Sequence, residues 1–259
     1  MIRGMYTAAS GIITCQATQD IISNNFANVN TTGYKSQIIS VKSFDEVYIA
    51  NKDGKNNKKN TIGTMSNGVE FNKLVTNFEQ GSINKTGVKT DFALQGEGFF
   101  VVQRQTGGGT TNYYTRDGHF VVDGAGYLVT TSGDRVLSNE GGALRPIYVG
   151  NGTISASPDG SLQVNGQAAG KLAVATFPKN EDGEYNGLTE FAYNLFEGQN
   201  PQIINYPRVV HESLEGSNVN VVEETNNMMS VMRRFESNTT VLKTLDATLE
   251  KAVNKLGTV

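Results

Sequence analysis

The C-terminal part of the chain decides the fold, because residues 214–256 have the sequence LEGSNVNVVEETNNMMSVMRRFESNTTVLKTLDATLEKAVNKL. Apolar residues recur there at steps of mostly three and four, which is the spacing of one helical face. They are Val222, Met229, Met232, Phe235, Leu242, Leu245, Leu249, Ala252 and Leu256. Asn220, followed three residues later by Glu223, is typical of a capping box. The pattern predicts a long helix that begins after Asn220 and carries a stripe resembling a coiled-coil seam.

A second amphipathic helix is predicted at residues 2–29. Its apolar positions are Ile2, Met5, Ala9, Ile12, Cys15, Ile22, Phe26 and Val29. Asparagines near its end, followed by Gly33, favour a helix stop. Each helix must bury its stripe, so we expect the two to pack on each other and, because the N-terminal stripe is weak, neighbouring copies to complete the burial. The alternative is an intramolecular helical hairpin that lies on the middle of the chain.

The residues between the helices have the pattern of antiparallel β-structure. Short β-branched and aromatic runs, such as FALQGEGFFVV at 92–102, alternate with turn residues. The turn dipeptides are Asp117-Gly118, Asp123-Gly124, Asn151-Gly152, Asp159-Gly160 and Asn165-Gly166. Because such residues tolerate the positive φ of tight hairpins, we expect about ten short strands.

These patterns predict a mixed α and β fold. The N- and C-terminal helices pair as a coiled-coil-like domain, and the centre is an antiparallel all-β domain. The predicted parts are residues 1–30 with 219–259 as the terminal helical assembly domain, 31–74 as a connecting segment, and 75–218 as the β-rich central domain. Within the connecting segment, the polar run NKDGKNNKKN at 51–60 is expected to form an exposed loop.

Composition excludes several kinds of partner. The net charge of this 259-residue chain is -3 and no basic stripe is present, so we expect no nucleic acid as partner. The single cysteine allows no intramolecular disulfide. No stretch of about 18 apolar residues occurs, and the N-terminus lacks the pattern of a secretory signal, so we expect neither direct membrane insertion nor classical secretion.

An enzyme active site is not favoured by the residues that could form one. The candidates are His119, His211, Asp117, Asp123, Asp159, Glu97, Cys15 and the loop Gln95-Gly96-Glu97-Gly98. The aspartates precede glycines in turns, the histidines lack a closely spaced second ligand, and a strand follows the glycine loop where phosphate binding needs a helix. We predict no catalytic residue, no cofactor and no metal site; the alternative is a secreted β-rich carbohydrate-active module.

Two motifs resemble the signature ends of the bacterial flagellar rod and hook family. The first, in ISNNFANVNTTGYK at 22–35, comprises Asn24, Asn25, Ala27, Asn28, Thr31, Gly33, Tyr34 and Lys35. The second comprises Glu215, Gly216, Ser217, Asn218, Val219, Glu223, Met229, Arg233, Phe235, Glu236, Asp246 and Leu249. The central runs NFEQGSINKTG and LQGEGFFVV are similar to the β domain of the same proteins, so the resemblance covers most of the chain.

The resemblance implies a structural subunit with no enzymatic activity. Members of this family form a terminal helical layer around a narrow channel, with the β domain outside, and are exported by the flagellar export apparatus into the basal body in the cell envelope. Implied partners are copies of the chain in a helical array and other rod and hook proteins. Length is similar to the distal-rod members; a proximal-rod or hook-type paralogue is the alternative. The predicted assembly residues are those from Asn24 to Lys35 in the first motif, Glu215–Val219, and Met232, Phe235, Leu242, Leu245 and Leu249.

Overall fold

A computed structural model describes residues 2–52, 59–106, 109–180, 185–192 and 194–256. The chain forms two compact units. We call the first, Met1–Ala27 with Ser36–Asn77 and Asn220–Val259, the helical unit. The second, Asn28–Lys35 with Phe78–Val219, is the β unit. The segment predicted as a connection therefore divides, since residues 31–35 belong to the β unit and residues 36–74 to the helical unit.

Two helices dominate the helical unit: α1 is Ile2–Ala27 and α2 is Val221–Leu256. Helix α2 begins where the sequence predicts. The side-chain oxygen of Asn220 accepts hydrogen bonds from the backbone amides of Val222 at 3.1 Å and Glu223 at 3.5 Å. These bonds satisfy amides that have no partner inside the helix. At 1.5 Å per residue, α2 is about 54 Å long.

The two helices pack antiparallel. A Cβ atom added at Gly4 would lie 3.3 Å from Leu245, and one added at Gly11 would lie 2.7 Å from Asn238. From Gly4 to Gly11 the chain advances by seven residues in α1, while the opposing residue in α2 moves back by seven, from Leu245 to Asn238, so the helices run in opposite directions. The buried side chains of Cys15, Ile22 and Val231 form the core between them, with Phe26, Met228 and Phe235 packed alongside.

The apolar face of α2 differs from the predicted stripe in its first turns. Val222, Met229 and Met232 are exposed, with 70%, 45% and 47% of their surface accessible. The inward positions are Glu224, Met228, Val231, Phe235, Asn238, Leu242, Leu245, Leu249 and Ala252. These positions are separated alternately by four and three residues, which is a seven-residue repeat. The repeat formed by Leu242, Leu245 and Leu249 therefore extends toward the N-terminus of α2 through Val231 and Met228. Val222, Met229 and Met232, which the sequence placed in the same stripe as Phe235, therefore lie outside the face that packs on α1, and the assembly role of Met232 stays a prediction.

An antiparallel ribbon completes the helical unit. Strand β1, Gln37–Ser43, pairs with β4, Val69–Thr76, and strand β2, Val47–Lys52, pairs with β3, Lys59–Met65. Residues 51–52 and 59–60 of the predicted loop lie in the ends of β2 and β3. Residues 53–58 lie outside the described residues.

The β unit contains many short antiparallel strands, more than the ten expected. The strands are β5 Ile83–Lys85, β6 Phe92–Leu94, β7 Phe99–Thr106, β8 Gly109–Thr115, β9 Phe120–Val122, β10 Leu128–Thr130, β11 Arg135–Glu140, β12 Ala143–Pro146, β13 Ile154–Ala156, β14 Ser161–Val164, β15 Gln167–Lys171, β16 Val174–Thr176, β17 Leu188–Ala192, β18 Leu195–Gly198, β19 Gln202–Ile203, β20 Val209–His211 and β21 Ser213–Glu215. The largest sheet has the order β17-β18-β8-β7-β11-β10-β9. In addition, β12 pairs with β11, β16 pairs with β7, and β19 pairs with β16.

Strand β7 lies at the centre of the β unit and buries both of its faces. Phe100 and Val102 point into one apolar cluster, and Phe99 and Val101 point into another. This division follows from the two-residue period of a strand. The predicted tight turn is confirmed at Asn165-Gly166, which connects β14 to β15 with φ values of 52° and 80°.

Candidate assembly site

The two sequence motifs meet in the β unit around one buried carboxylate. Glu215 Oε1 lies 2.7 Å from Lys35 Nζ, and both side chains have no accessible surface. Glu215 Oε2 lies 3.2 Å from a guanidinium nitrogen of Arg116, whose side chain is 2% exposed. A residue of the first motif, a residue of the second and a residue from the end of β8 therefore form one ion-pair cluster.

Further hydrogen bonds fix this Glu215 cluster. Lys35 Nζ donates to the carbonyl of Glu79 at 2.6 Å, and the amide of Gly81 donates to Glu215 Oε1 at 3.0 Å. Arg116 donates to the carbonyl of Gly96 at 2.8 Å, and its Nε has no hydrogen-bond partner among the described residues. A buried ion pair contributes little net stability when intact, but removal of one partner costs about 3–5 kcal/mol because a charge stays buried alone.

The cluster contains two cationic groups and one carboxylate. Burial lowers the pKa of the Lys35 amine, and the neighbouring Arg116 lowers it further, while Glu215 acts in the opposite direction. The guanidinium of Arg116 also lies 5.4 Å from the ring centre of Phe99, where a cation–π contact is favourable.

The backbones of the two motifs are also bonded to each other. The amide of Gly33 donates to the carbonyl of Glu215 at 2.8 Å. The amide of Gly216 donates at 2.8 Å to the carbonyl of Ser82, which lies outside both motifs. Gly33 has a φ of 67°, and a Cβ atom there would collide with the backbone of Arg116 and Asp117. The positive φ favours glycine at this position, and the close backbone approach gives a second reason for it.

The same two parts of the chain meet again in the helical unit, at a buried amide. Asn25 Nδ2 donates to the carbonyl of Gln37 at 2.9 Å and to Glu224 Oε1 at 2.7 Å. Asn25 Oδ1 accepts a hydrogen bond from the amide of Gln37 at 3.0 Å. Because asparagine carries both donor and acceptor, this one side chain bonds α1 to β1 and to α2.

The other predicted assembly residues divide between buried and surface positions. Tyr34 is buried, Asn24 and Ala27 are exposed on α1, and Val219 is half-buried. Thr31 donates to Asn28 in the turn after α1, Ser217 accepts a hydrogen bond from Val219, and Asn218 donates to Glu79. The half-buried residues of α2 on the side of α1 are Phe235, Leu242, Leu245 and Leu249. The structure therefore brings together Gly33, Lys35, Glu215 and Gly216 in one unit, and Asn25 with the α2 residues in the other.

Models of known protein families match three parts of this chain. One described as "Flagella basal body rod protein" matches residues 5–35. One described as "Flagellar hook protein FlgE/F/G D1 domain" matches residues 93–173, and one described as "Flagellar basal body rod FlgEFG protein C-terminal" matches residues 211–256. The Glu215 cluster joins residues from the first and the last of these regions.

Curated relatives extend the similarity over the whole length. "Flagellar basal-body rod protein FlgF" of Caulobacter vibrioides is 32% identical, with 99% of each chain covered. The chain belongs to the flagellar basal-body rod protein family. "Flagellar basal-body rod protein FlgG" of Borreliella burgdorferi is 32% identical over 98% of each chain. FlgG of Bacillus subtilis is 30% identical over 98% of this chain and 99% of its own.

Membership in the rod family identifies a structural protein of the flagellar basal body, not an enzyme. The residues considered for catalysis have structural contacts instead. His119 Nδ1 lies 2.8 Å from Asp91, and His211 Nε2 lies 2.8 Å from the carbonyl of Lys89. Burial raises the pKa of the Cys15 thiol, which packs against α2 as a small apolar side chain. Among the described residues, no group of three or more His, Cys, Asp and Glu could hold a metal ion.

Neither α1 nor α2, over the part of the chain that the structure describes, combines the length and apolar character needed to cross a membrane.

Sequence reasoning missed three residues of this rod-family site. Arg116 stands before the Asp117-Gly118 dipeptide at the end of a strand, where a charged side chain is usually exposed to solvent, so its sequence context provides no reason to expect a buried role. Glu224 stands next to the capping-box residue Glu223, and its place in the heptad frame with Val231 is the one signal that could have found it. Gln37 participates through its backbone, which no side-chain pattern reveals.

Proposed function

We propose that this chain is a subunit of the distal rod, which assembles with copies of itself into a hollow helical axial structure. This proposed helical assembly would transmit torque and enclose the export channel. One observation carries the proposal: the helical unit, with its two motifs already joined inside the chain, still exposes large apolar side chains on α1, α2 and the ribbon. The most exposed are Tyr6, Ile13, Tyr48, Ile62, Val222 and Val253. Exposed apolar surface of this extent is typical of protein interfaces.

The ribbon formed by β2 and β3 supports the same proposal. Val47, Tyr48 and Ile62 are exposed by 52%, 74% and 67% of their surface. A two-stranded ribbon is marginally stable in water by itself, so contact with another chain would stabilise it. Copies of this chain are the partner we propose for it, with other rod and hook proteins at the two ends of the array.

We also propose that α1 and α2 form a coiled coil within each subunit. Inward residues of α2 alternate in steps of four and three, and the buried residues Ala8, Cys15 and Ile22 of α1 follow one another at seven-residue intervals. Both are the repeat of a coiled-coil seam.

A place in the proximal rod is the second candidate. The similarity to FlgF of Caulobacter vibrioides favours it, and the similarity to two FlgG proteins favours the distal rod. Both kinds of relative match over nearly the whole chain, so length does not separate them, and the similarity to two FlgG proteins is the reason why we propose the distal position.

Electron microscopy and motility of a gene deletion test this function. Cells without the chain are complemented with the full-length chain or with a chain that lacks residues 219–259. We expect hooks and filaments to be lost in the deletion and restored by the full-length chain alone. A partial rod in the deletion indicates the distal position, and loss of the whole rod indicates the proximal one. Normal flagella in the deletion would overturn the proposed function.

A further inference from the structure

We infer that a groove beside α1 of one subunit receives the outer face of α2 from a second copy. The inference rests on the proposed function and names the two surfaces that meet. The groove has a volume of about 670 Å³ and lies between α1 and the strand ends of the ribbon. The receiving and entering surfaces both belong to the helical unit.

The groove combines apolar walls with an acidic rim. Tyr6 and Ile13 of α1 line it with 68% and 67% of their surface exposed, opposite Phe44 and Val47 of the ribbon. Its charged lining residues are the carboxylates of Asp45 and Glu70 and the guanidinium of Arg3, so the lining carries one more negative than positive charge. Glu70 pairs with Lys42 at 3.0 Å, and the pKa of Lys42 is raised by Glu70 and to a smaller degree by Asp45. The surface therefore suits a partner that offers flexible apolar side chains together with a cation.

The outer face of α2 offers that combination. It is formed by Met229, Ser230, Arg233 and Arg234, with Asn226 and Ser237 at its ends. Within the part of the chain that the structure describes, neither arginine has an ion pair, although Arg234 lowers the pKa of Cys15. Methionine side chains adapt to irregular apolar surfaces, and arginine pairs readily with carboxylates at interfaces.

One copy cannot place its own α2 face in its own groove. Gly4 and Gly11 mark the side of α1 that contacts α2, whereas Tyr6 and Ile13 lie on its other side. Met229 and Arg233 likewise lie away from the inward positions Met228, Val231 and Phe235. The groove and the α2 face are thus on opposite sides of the helix pair, so the face must enter the groove of another copy.

The two surfaces are also offset along the helix axis. The register in which Gly11 opposes Asn238 places the middle of the groove opposite α2 residues near 241, and the middle of the α2 face lies near Met232. About nine residues separate these positions, which is about 14 Å at 1.5 Å per residue. Because the two surfaces lie on opposite sides of the helix pair, two copies cannot occupy each other's grooves at once, and we expect the offset contact to repeat from copy to copy as a staggered array.

Cysteine crosslinking in assembled rods tests the contact. Cys15→Ala removes the native thiol, and Phe44→Cys is combined with Met229→Cys. We expect mild oxidation of purified basal bodies to convert most of the chain into a ladder of disulfide-linked multimers. The matched control combines Phe44→Cys with Val253→Cys, which is even more exposed on α2 than Met229 and far from the face, and should stay monomeric. Normal rods without a ladder, as would arise if another rod protein filled the groove, overturn the inference.

Charge exchange provides a second test in chains that keep Cys15. Asp45→Arg and Arg233→Asp should each reduce the swimming halo at least about two-fold, and the combined variant should recover most of the loss, since opposite charges again face each other. Asp45→Arg with Lys243→Glu, an exposed change elsewhere on α2, should not recover. A combined variant no better than the worse single change contradicts the contact. Normal flagella in the gene deletion would overturn the proposed function itself, and this inference with it.

Discussion

The β unit and the helical unit differ in how completely each buries its apolar side chains. The β unit encloses Phe92, Phe99, Phe100 and Phe120 with no accessible surface. The apolar core between the helices of the helical unit contains the buried side chains of Cys15, Ile22 and Val231, each with 5–9% of its surface accessible, and larger side chains stay exposed. The β unit therefore builds a closed apolar core, although Tyr148, Phe191 and Tyr206 stay exposed on its surface, whereas the helical unit has a smaller core and a surface suited to completion by neighbours.

A charge in the helical seam should have the largest effect. Leu245→Asp places a carboxylate beside Gly4 of α1, where it loses water on assembly, so we expect complete loss of motility while the β unit stays folded. Swimming assays and thermal unfolding followed by tyrosine fluorescence check the two parts. Ala247→Asp, exposed one half-turn away, is the matched control and should keep motility. Motile Leu245→Asp cells would contradict the dependence of the helical unit on this seam.

Loss of the buried carboxylate should have the next largest effect and act on the β unit. Glu215→Ala leaves Lys35 and Arg116 buried without a counter-charge, which should lower the free energy of unfolding by about 3–5 kcal/mol. Urea unfolding of the purified chain measures it. Glu97→Gln, which removes an exposed ion pair with Lys179, should change stability little. Equal effects of the two substitutions would show that the Glu215 cluster is not what joins the motifs.

Glycine substitutions separate backbone strain from collision. Gly33→Ala should lower stability by about 1–3 kcal/mol, because it adds a collision with the backbone of Arg116 and Asp117 to the cost of a positive φ. Gly87 has a φ of 74° but open space around its Cβ position, so Gly87→Ala should cost about 1–2 kcal/mol, the smaller of the two effects. Urea unfolding measures the loss of stability in each variant. A larger loss for Gly87→Ala than for Gly33→Ala would contradict the close backbone approach at Gly33.

The smallest expected effect is a pH dependence at Asp117. Burial raises the pKa of this carboxyl above its usual range, against the hydrogen bonds from Thr32 and His119. In the interval between the unfolded and folded pKa the native state binds more protons, so stability falls as pH rises through it. Asp117→Asn should therefore be slightly more stable than the wild type at pH 7 and equal to it below about pH 4. Urea unfolding of both proteins at the two pH values measures the difference in stability. A wild type that is more stable than Asp117→Asn at pH 7 would contradict the raised pKa of Asp117.

Local patterns predicted some local features correctly, but of the five turn dipeptides only Asp159-Gly160 and Asn165-Gly166 have a glycine with positive φ. The start of α2 at Asn220 and the turn at Asn165-Gly166 each depend on a few neighbouring residues. The ribbon was not predicted, because the polar run at 51–60 indicated only an exposed loop, although the sequence of residues 37–76 contains the turn dipeptides Asp53-Gly54 and Asn67-Gly68. The sequence did not identify which residues in the first half of α2 face α1. Met229 and Met232 are as apolar as Met228 and Val231, and only packing against α1 distinguishes the two pairs.

The Glu215 cluster was partly predictable. The motifs named Lys35 and Glu215 but could not show that they touch, because 180 residues separate them. Arg116 was missed since a charged residue at a strand end is normally solvated, and its burial follows from the tertiary fold. Asn25 was named correctly, while its partner Glu224 was hidden beside a more conventional capping residue.

The bond between Gly33 and Glu215 has a consequence for the order of folding. Helices α1 and α2 are separated by roughly 190 residues of chain, and bringing such distant segments together costs loop-closure entropy that grows with the logarithm of the length. All residues of the β unit precede α2, so this unit can fold before α2 has been synthesised. Once it has folded, the amide of Gly33 and the carbonyl of Glu215 are 2.8 Å apart, and each is only a few residues from a helix end. The β unit thus converts a long-range pairing into a nearly local one, and the last helix made finds the first already beside its starting point.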